Sequence, residues 1–423
     1  MTLVIVIIVL VVIVVYLLIR HLIAIDWNKH RFLKTLIHIR GFRLLEYTVL
    51  TVDGYYLGIH RVVPSDFSST TYNATRKPVI IAPGMYCSSI DFLYTCSSVN
   101  KRTDSDSFVY YLLNSGRYDV WLMNNRGNCF SKRHVKYKFN DWQYWRFSCD
   151  EMAKYDIRAV IDFVTNETGH NSVSYVGFSQ GNLLMFAFLS EHPEYAKKIR
   201  PFIAWTPAAF FGNITSPIRH LVYTIPILRL IGGQFPLFRF SNWLGRNFRS
   251  TFLVQWVTKM LFRSTMGQTD FTLHSQLPVW LHLFPSTGST WQYVHHLQWI
   301  QCGKFNKFDF GDKLINLSYY GQSTPPNYPL ERISPELVVV LMRAVTDSMT
   351  TNIDTDHLAT VLREEAKVKT LIDWTVPVKI WNHLDFIMNV KAGKLIYEKS
   401  LKYLDMFAID DIRREKISEL NNE

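Results

Sequence analysis

Short apolar runs alternate with longer segments of helical period along most of this chain, and that alternation predicts its elements. Residues 46–62 hold two alternating runs on either side of Asp53-Gly54, which reads as a hairpin with a tight turn. Pro78-Val79-Ile80-Ile81-Ala82, residues 118–123, 172–176 and 337–342 are mostly β-branched or apolar, enough for buried strands. Between them lie helix signals. Ser148 and Glu151 form a capping box, and a helix should run from there to about Val164. Met152, Tyr155, Ala159, Val160 and Phe163 fall on one face of it. Residues 182–189 suit a buried helix, and residues 376–381 form an apolar stretch late in the chain. Strand, helix, strand, helix with short joints predicts an α/β fold, a mostly parallel sheet with helices on both faces.

One stretch breaks the alternation. Residues 2–19 carry no charge over eighteen positions, about 27 Å as a helix and long enough for a bilayer core. No basic residue precedes the stretch and no small-x-small cleavage site comes after it, so an uncleaved transmembrane anchor is expected rather than a signal peptide. Arg20, Lys29, Arg31, Lys34 and Arg40 come next, against Asp26 alone. That bias leans the rest of the chain to the cytosolic side, with the lumenal side as the alternative.

The pentapeptide Gly177-Phe178-Ser179-Gln180-Gly181 sits between a predicted strand and a predicted helix. By itself G-x-S-x-G recurs by chance, but strand, G-x-S-x-G, helix is the context of a nucleophile elbow. The flanking glycines remove Cβ atoms that would clash with neighbouring strand and helix, and the helix aims free N–H groups at a developing oxyanion.

The composition, 48% hydrophobic and 15% aromatic, excludes a disordered chain. The net charge of +11 is scattered and comes with no nucleic-acid motif, so anionic lipid is the better match for it. Five cysteines, Cys87, Cys96, Cys129, Cys149 and Cys302, fit neither a zinc site nor a disulfide scaffold. Four N-x-S/T sequons, at Asn73, Asn166, Asn213 and Asn316, stand against about three expected by chance, so they do not settle the compartment.

The chain resembles the acid lipase family of gastric lipase, lysosomal acid lipase and fungal steryl ester hydrolases, from about Gly41 to the C-terminal helix. The matching segments, in order, are Glu46-Tyr47 through Asp53-Gly54-Tyr55, Asn125-Arg126-Gly127-Asn128, Asp150 through Asp156, Ser179-Gln180-Gly181, Gln322-Ser323-Thr324-Pro325-Pro326 and Asn382-His383-Leu384-Asp385-Phe386. The resemblance implies an α/β-hydrolase core with a cap, hydrolysing acyl esters of apolar alcohols without metal or organic cofactor. It departs from the family at Pro83-Gly84-Met85, where His-Gly-Leu is usual, and at Phe178, where His is common. The usual cysteine pair of the cap is not evident.

A serine hydroxyl needs a base, and the base needs a carboxylate to fix its tautomer. In this fold the order is Ser, acid, His. His383, after the apolar stretch 376–381, is the expected base. Asp347, leaving the strand at 337–342, is the expected acid. Asp354 and Asp356 compete with it but read as helix-start residues before Leu358. Asp385 reads as a brace for the histidine loop. The oxyanion donors should be the N–H groups of Met85 and Gln180, although Pro83-Gly84 alone reads as an ordinary turn.

From Ser179 to Asp347 is 168 residues, more than a bare sheet needs. The expected division is therefore an anchor over 2–19, core over 40–204, a mainly helical cap over 205–327, core over 328–405 and a charged tail over 406–423. The cap's aromatic residues should mostly fill its own core, with some lining an apolar pocket or meeting lipid. The expected function is a membrane-anchored lipase for triacylglycerol or sterol esters. Its partners would be a lipid ester and a membrane or lipid-droplet surface, with no nucleic acid. The alternatives are an esterase or acyltransferase using the same residues, and a catalytically inactive binding protein on the same fold.

Overall fold

The structure, a computed structural model, describes residues 29–68, 75–93, 107–231, 233, 252–269 and 284–408. The expected anchor at 2–19, and the tail from 409 on, lie outside the described residues. No helix among the described residues is long and apolar enough to cross a membrane.

Among the described residues nine strands form one mixed sheet: β1 Phe42–Leu50, β2 Tyr55–Pro64, β3 Lys77–Ala82, β4 Tyr118–Leu122, β5 Arg133–His134, β6 Val173–Phe178, β7 Ile199–Trp205, β8 Val338–Arg343 and β9 Thr370–Thr375. The spatial order is β1-β2-β4-β3-β6-β7-β8-β9, with β5 paired to β2. From β4 to β9 all neighbours are parallel, and β1 and β2 add an antiparallel edge. Strands β3, β4, β6 and β8 are buried at every position, which is why they read as mainly apolar runs; their polar exceptions, Lys77, Asp119, Ser174 and Arg343, are buried with partners.

The period of two sorts their side chains into two cores. Ile80, Trp121, Tyr175, Phe202 and Val339 face one side, while Val79, Val120, Val176, Ile203 and Val340 face the other. On the latter side pack α1 (Lys29–Ile39), α2 (Phe108–Asn114) and a C-terminal helix ending at 408. On the former pack α3 (149–168) and α4 (Gln180–Glu191).

The chain passes from β3 to β4 on one side and then returns to place β6 on the other side of β3. The strand order reverses there, so the carboxyl ends of β3 and β6 open onto the crevice where such sheets bind ligands.

Four local features go beyond or depart from the sequence reading. The basic stretch before residue 40 is more than a flank: α1 buries Leu33 and Ile37 completely. Helix α3 starts at the capping box of Ser148 and Glu151 but widens into a π-turn over Met152–Ile157 and runs on to Thr168. One extra residue in that turn rotates the succeeding face by about 100°. Ile157, Val160, Ile161 and Val164 are therefore the buried set, and Tyr155, Ala159 and Phe163 lie at its half-buried margin. Residues 376–381 are an irregular connection, and the strand before the histidine is β9, at Thr370–Thr375. Finally, the C-terminal helix is packed through Leu404 and Ala408, and the Asp405 carboxylate accepts from Tyr118 and Arg117.

The described residues between β7 and β8 contain helices α5 (Ile225–Ile231), α6 (Phe252–Met266), α7 (Thr290–Cys302) and α8 (Lys313–Tyr320). Of the aromatic residues expected to fill this insertion, Phe211, Phe262 and Trp299 are buried and Trp256 is half exposed.

Two buried histidines make stability depend on pH. Burial pushes the pKa of His60 and of His295 down from 6.5 to about 3. His60 sits against Ser89 Oγ, 2.7 Å away, and His295 Nε2 is 3.0 Å from the carbonyl of Asn306. Below pH 6.5 the unfolded chain binds protons that the native chain refuses, so these histidines lower stability as pH falls from 6.5 toward 3. Each contributes about 1.4 kcal/mol per pH unit in that window. Replacing His60 with Gln should flatten the loss between pH 6.5 and 5 by about that slope, measured by urea unfolding of both proteins at each pH.

Candidate functional site

The elbow is built by backbone that a serine does not adopt without help. Ser179 has φ 52° and ψ −113°, between the end of β6 and the start of α4. A non-glycine residue there costs on the order of 1–3 kcal/mol and persists only when its surroundings hold it. Here Ser179 N donates to Trp205 O at 3.1 Å, Asn182 N donates to Ser179 O at 2.9 Å, and Asn182 Nδ2 donates to Trp205 O at 2.6 Å. Both motif glycines are required. A Cβ on Gly177 would stand 2.4 Å from Asn182 Oδ1, and one on Gly181 2.6 Å from Ala82 O.

Beside the elbow, at the end of β3, Cys87 N donates to Gly84 O at 3.1 Å and closes a turn with Tyr86 at φ 58°. Met85 occupies the turn's first central position, where its N–H is not part of that closure. Gln180 is the first residue of α4, where an amide has no partner within the helix. Gly84 lies so close to the elbow that a Cβ on it would be 2.8 Å from the Phe178 ring and 3.4 Å from Ser179 Cβ. Phe178, the departure from the family pattern, thus packs under the turn. Its ring also neighbours His383, with centroids 5.3 Å apart, and Phe92, edge-on at 6.5 Å.

His383 and Asp347 meet. Nδ1 of His383 lies 2.7 Å from Asp347 Oδ2, and both residues are buried. Because the carboxylate only accepts, Nδ1–H donates to it, and Nε2 is the ring nitrogen that Asp347 does not engage. Asp347 also accepts from Met349 N and Thr350 N on Oδ1, and from Thr350 Oγ1 on Oδ2. Phe178 pairs with Trp205, and Trp205 with Met342. The elbow and the loop that carries Asp347 therefore leave the same edge of the sheet.

The competing acids stand elsewhere. Thr351 caps the helix Asn352–Thr360. Asp354 lies in its first turn and accepts from Asn213, and Asp356 pairs with Arg343. Asp385 holds the histidine loop, accepting from Asn382 N at 2.7 Å.

The sequence pattern does not reveal the long-range contacts of three features. Arg126, fully buried, bridges Asp53 of the hairpin turn and Asp156 of the π-turn. Burial works against its charge, but the two carboxylates more than offset that and hold the guanidinium above its usual range. Three of the matched motifs thereby meet at one ion cluster. Second, residues 286–292 of the insertion are tied to the site. Ser286 N donates to Tyr86 O at 2.7 Å, and Gln292 Nε2 donates to Gln180 Oε1 at 2.8 Å. Third, residues 266–269 bond to the acid and histidine loops. Long-range partners of this kind leave no local trace, although Gly267 just past a helix is a hint.

The chain is similar to several known proteins. Residues 77–200 match a family model described as an alpha/beta hydrolase fold, and residues 33–96 match one described as a partial alpha/beta-hydrolase lipase region. It is 30% identical to gastric triacylglycerol lipase of Rattus norvegicus over 371 residues, 86% of this chain and 89% of that one. It is 31% identical to lipase member K of Homo sapiens, covering 85% and 86%. It is 29% identical to lysosomal acid lipase/cholesteryl ester hydrolase of Homo sapiens, covering 90% and 93%. A crystal structure of a Sulfolobus solfataricus protein superposes with a TM-score of 0.51 at 15% identity, over 86% of this chain and 95% of that one, which speaks to the fold alone.

The elbow contacts predict a sharp intolerance. Gly181→Ala must move backbone at Ala82, because the clash is with a carbonyl and not with a flexible side chain. Thermal unfolding should show a loss of about 1–3 kcal/mol. An unchanged midpoint would mean that the close approach is not real.

Proposed function

Because the chain belongs to the acid lipase family of α/β-hydrolases and is an ester hydrolase of that type, we propose that Ser179, His383 and Asp347 form its catalytic triad and that lipid esters are its substrates. The observation that carries this reading is the 2.7 Å contact of His383 Nδ1 with Asp347 Oδ2, at the sheet edge that also presents Ser179 on its strained turn.

Ser179 Oγ attacks the ester carbonyl while His383 Nε2 takes its proton. Asp347 steadies the imidazolium and keeps the ring from turning. The N–H groups of Met85 and Gln180 donate to the oxyanion. Collapse of the tetrahedral species breaks the ester C–O bond, and His383 returns the proton to the leaving alcohol. Water repeats the sequence on the acyl-enzyme. These steps need no metal or cofactor.

The insertion over about 205–327 serves as the cap, and its outer face supports a lipid substrate. Ile227, Leu230 and Ile231 on α5, and Trp256, Val257, Met260 and Leu261 on α6, are each about half exposed or more. Three- and four-residue spacings put them on one face of each helix. A large outward apolar face is a cost in water that contact with an ester-rich surface removes. Residues 2–19 are the proposed membrane anchor, with the core on the cytosolic side. Free thiols at Cys87, Cys129, Cys149 and Cys302 agree with a reducing compartment.

Ser179→Ala should lower ester hydrolysis by about four to six orders of magnitude and abolish labelling by a fluorophosphonate. Hydrolysis that survives the substitution would sink the reading. Leu230→Glu combined with Trp256→Glu should cut the rate on emulsified triacylglycerol or sterol ester at least about tenfold and spare a soluble short-chain ester. Equal loss on both would remove the lipid-surface role from these helices.

A further inference from the structure

Residues 266–269 leave the end of α6 and run between the acid loop and the histidine loop, bonding to both. Met266 O accepts from His383 N and from Ser348 N, each at 3.4 Å. Gly267 pairs with Asp347 in an antiparallel bridge, and its carbonyl accepts from Asn382 Nδ2 at 2.9 Å. Thr346 Oγ1 donates to Gln268 O at 2.7 Å and accepts from Trp381 N at 3.1 Å. Thr269 Oγ1 donates to Asp385 Oδ1 at 2.7 Å. Each of the four residues therefore holds a neighbour of the proposed acid or base. The path is specific to glycine at its second position. Gly267 has φ +106°, and a Cβ there would sit 1.8 Å from Thr346 O.

We propose that residues 266–269 act as a splint that sets the His383–Asp347 geometry, with Thr269 as a positioning residue for His383. This rests on the triad reading above. The route is short. Thr269 fixes one oxygen of Asp385, and the other oxygen receives Asn382 N at 2.7 Å. Asn382 Oδ1 in turn receives Leu384 N and Asp385 N, closing the turn that carries His383. Asn389 Nδ2, at 3.1 Å from the same Asp385 oxygen as Thr269, is a second anchor for that carboxylate. Without the Thr269 hydroxyl the loop keeps its chain but loses one of the contacts that aim the imidazole. Small errors in aim cost rate far more than binding, since a misplacement of about 1 Å can cost about a hundredfold.

The test uses the full chain and a soluble ester, which removes any role of the lipid surface. Thr269→Val keeps the shape and deletes the O–H. It should lower kcat about 10–100-fold with KM changed less than about threefold, well below its unfolding temperature. Thr269→Ser restores the O–H and should return kcat to within about threefold of wild type. Thr346→Val, which cuts the bond to the Gln268 carbonyl from the other loop, is a second variant and should lower kcat in the same way. An unchanged kcat in folded Thr269→Val overturns the proposal, as does a loss that Thr269→Ser fails to restore. If Thr269→Val does not fold, the same judgement passes to Thr346→Val. Wild-type protein that neither labels with fluorophosphonate nor hydrolyses any ester overturns the triad reading instead, so the two failures are distinct.

Discussion

A positive φ at Ser179 has to be held from outside, and much of the molecule takes part in holding it. The turn would relax if the strand behind it, the helix ahead of it or the neighbouring strand could give way. None can, because Gly177 and Gly181 let backbone meet backbone at distances that leave no room for a Cβ. Strands β3, β6 and β7 are locked in turn by side chains buried on both faces. A central strand with continuous apolar sequence is therefore more than core. It is the rigid support without which a strained residue drifts back to an ordinary conformation.

A second tier of support is electrostatic. Arg126 joins the hairpin turn, the loop after β4 and the π-turn of α3 through Asp53 and Asp156. An ion cluster this deeply buried is weak evidence of stability, since desolvation of three charges offsets their attraction. It is better evidence of geometry, because loss of Arg126 would leave the fully buried Asp156 carboxylate without its guanidinium partner. The loop it fixes passes the constraint on. Cys129 N donates to Ser286 Oγ, Thr287 Oγ1 donates to Gly127 O, and Ser286 N then reaches the turn that carries Met85. A hydrogen-bonded path thus links the hairpin to the proposed oxyanion donors.

Legibility in the sequence divides along the same line, between local packing and long-range ties. The parallel strands are legible because burial on both faces leaves a run of apolar residues. The elbow is legible because it packs glycine, serine and glycine into five positions. The face of α3 is easily misjudged, because a π-turn leaves no mark on composition while rotating every later residue of the helix. The strand before His383 is hard to place because residues 376–381 are more apolar than β9, an edge strand with only half-buried and exposed positions. The Arg126 cluster and the two ties from the insertion are invisible for a different reason. Each joins residues far apart in the chain, and neither end differs locally from an ordinary polar residue.

The antiparallel bridge between Gly267 and Asp347 bears on how such enzymes can be re-engineered. The insertion looks like a module that could be exchanged between relatives to alter the ester accepted. Its exit from α6, however, is laced into the loops that carry Asp347 and His383. A graft cut at the sheet edges would bring foreign residues to positions 266–269 and leave the recipient's own loops without their matching partners. Successful chimaeras would have to transplant three pieces of chain together: the insertion, residues 346–351, and the turn over residues 381–389.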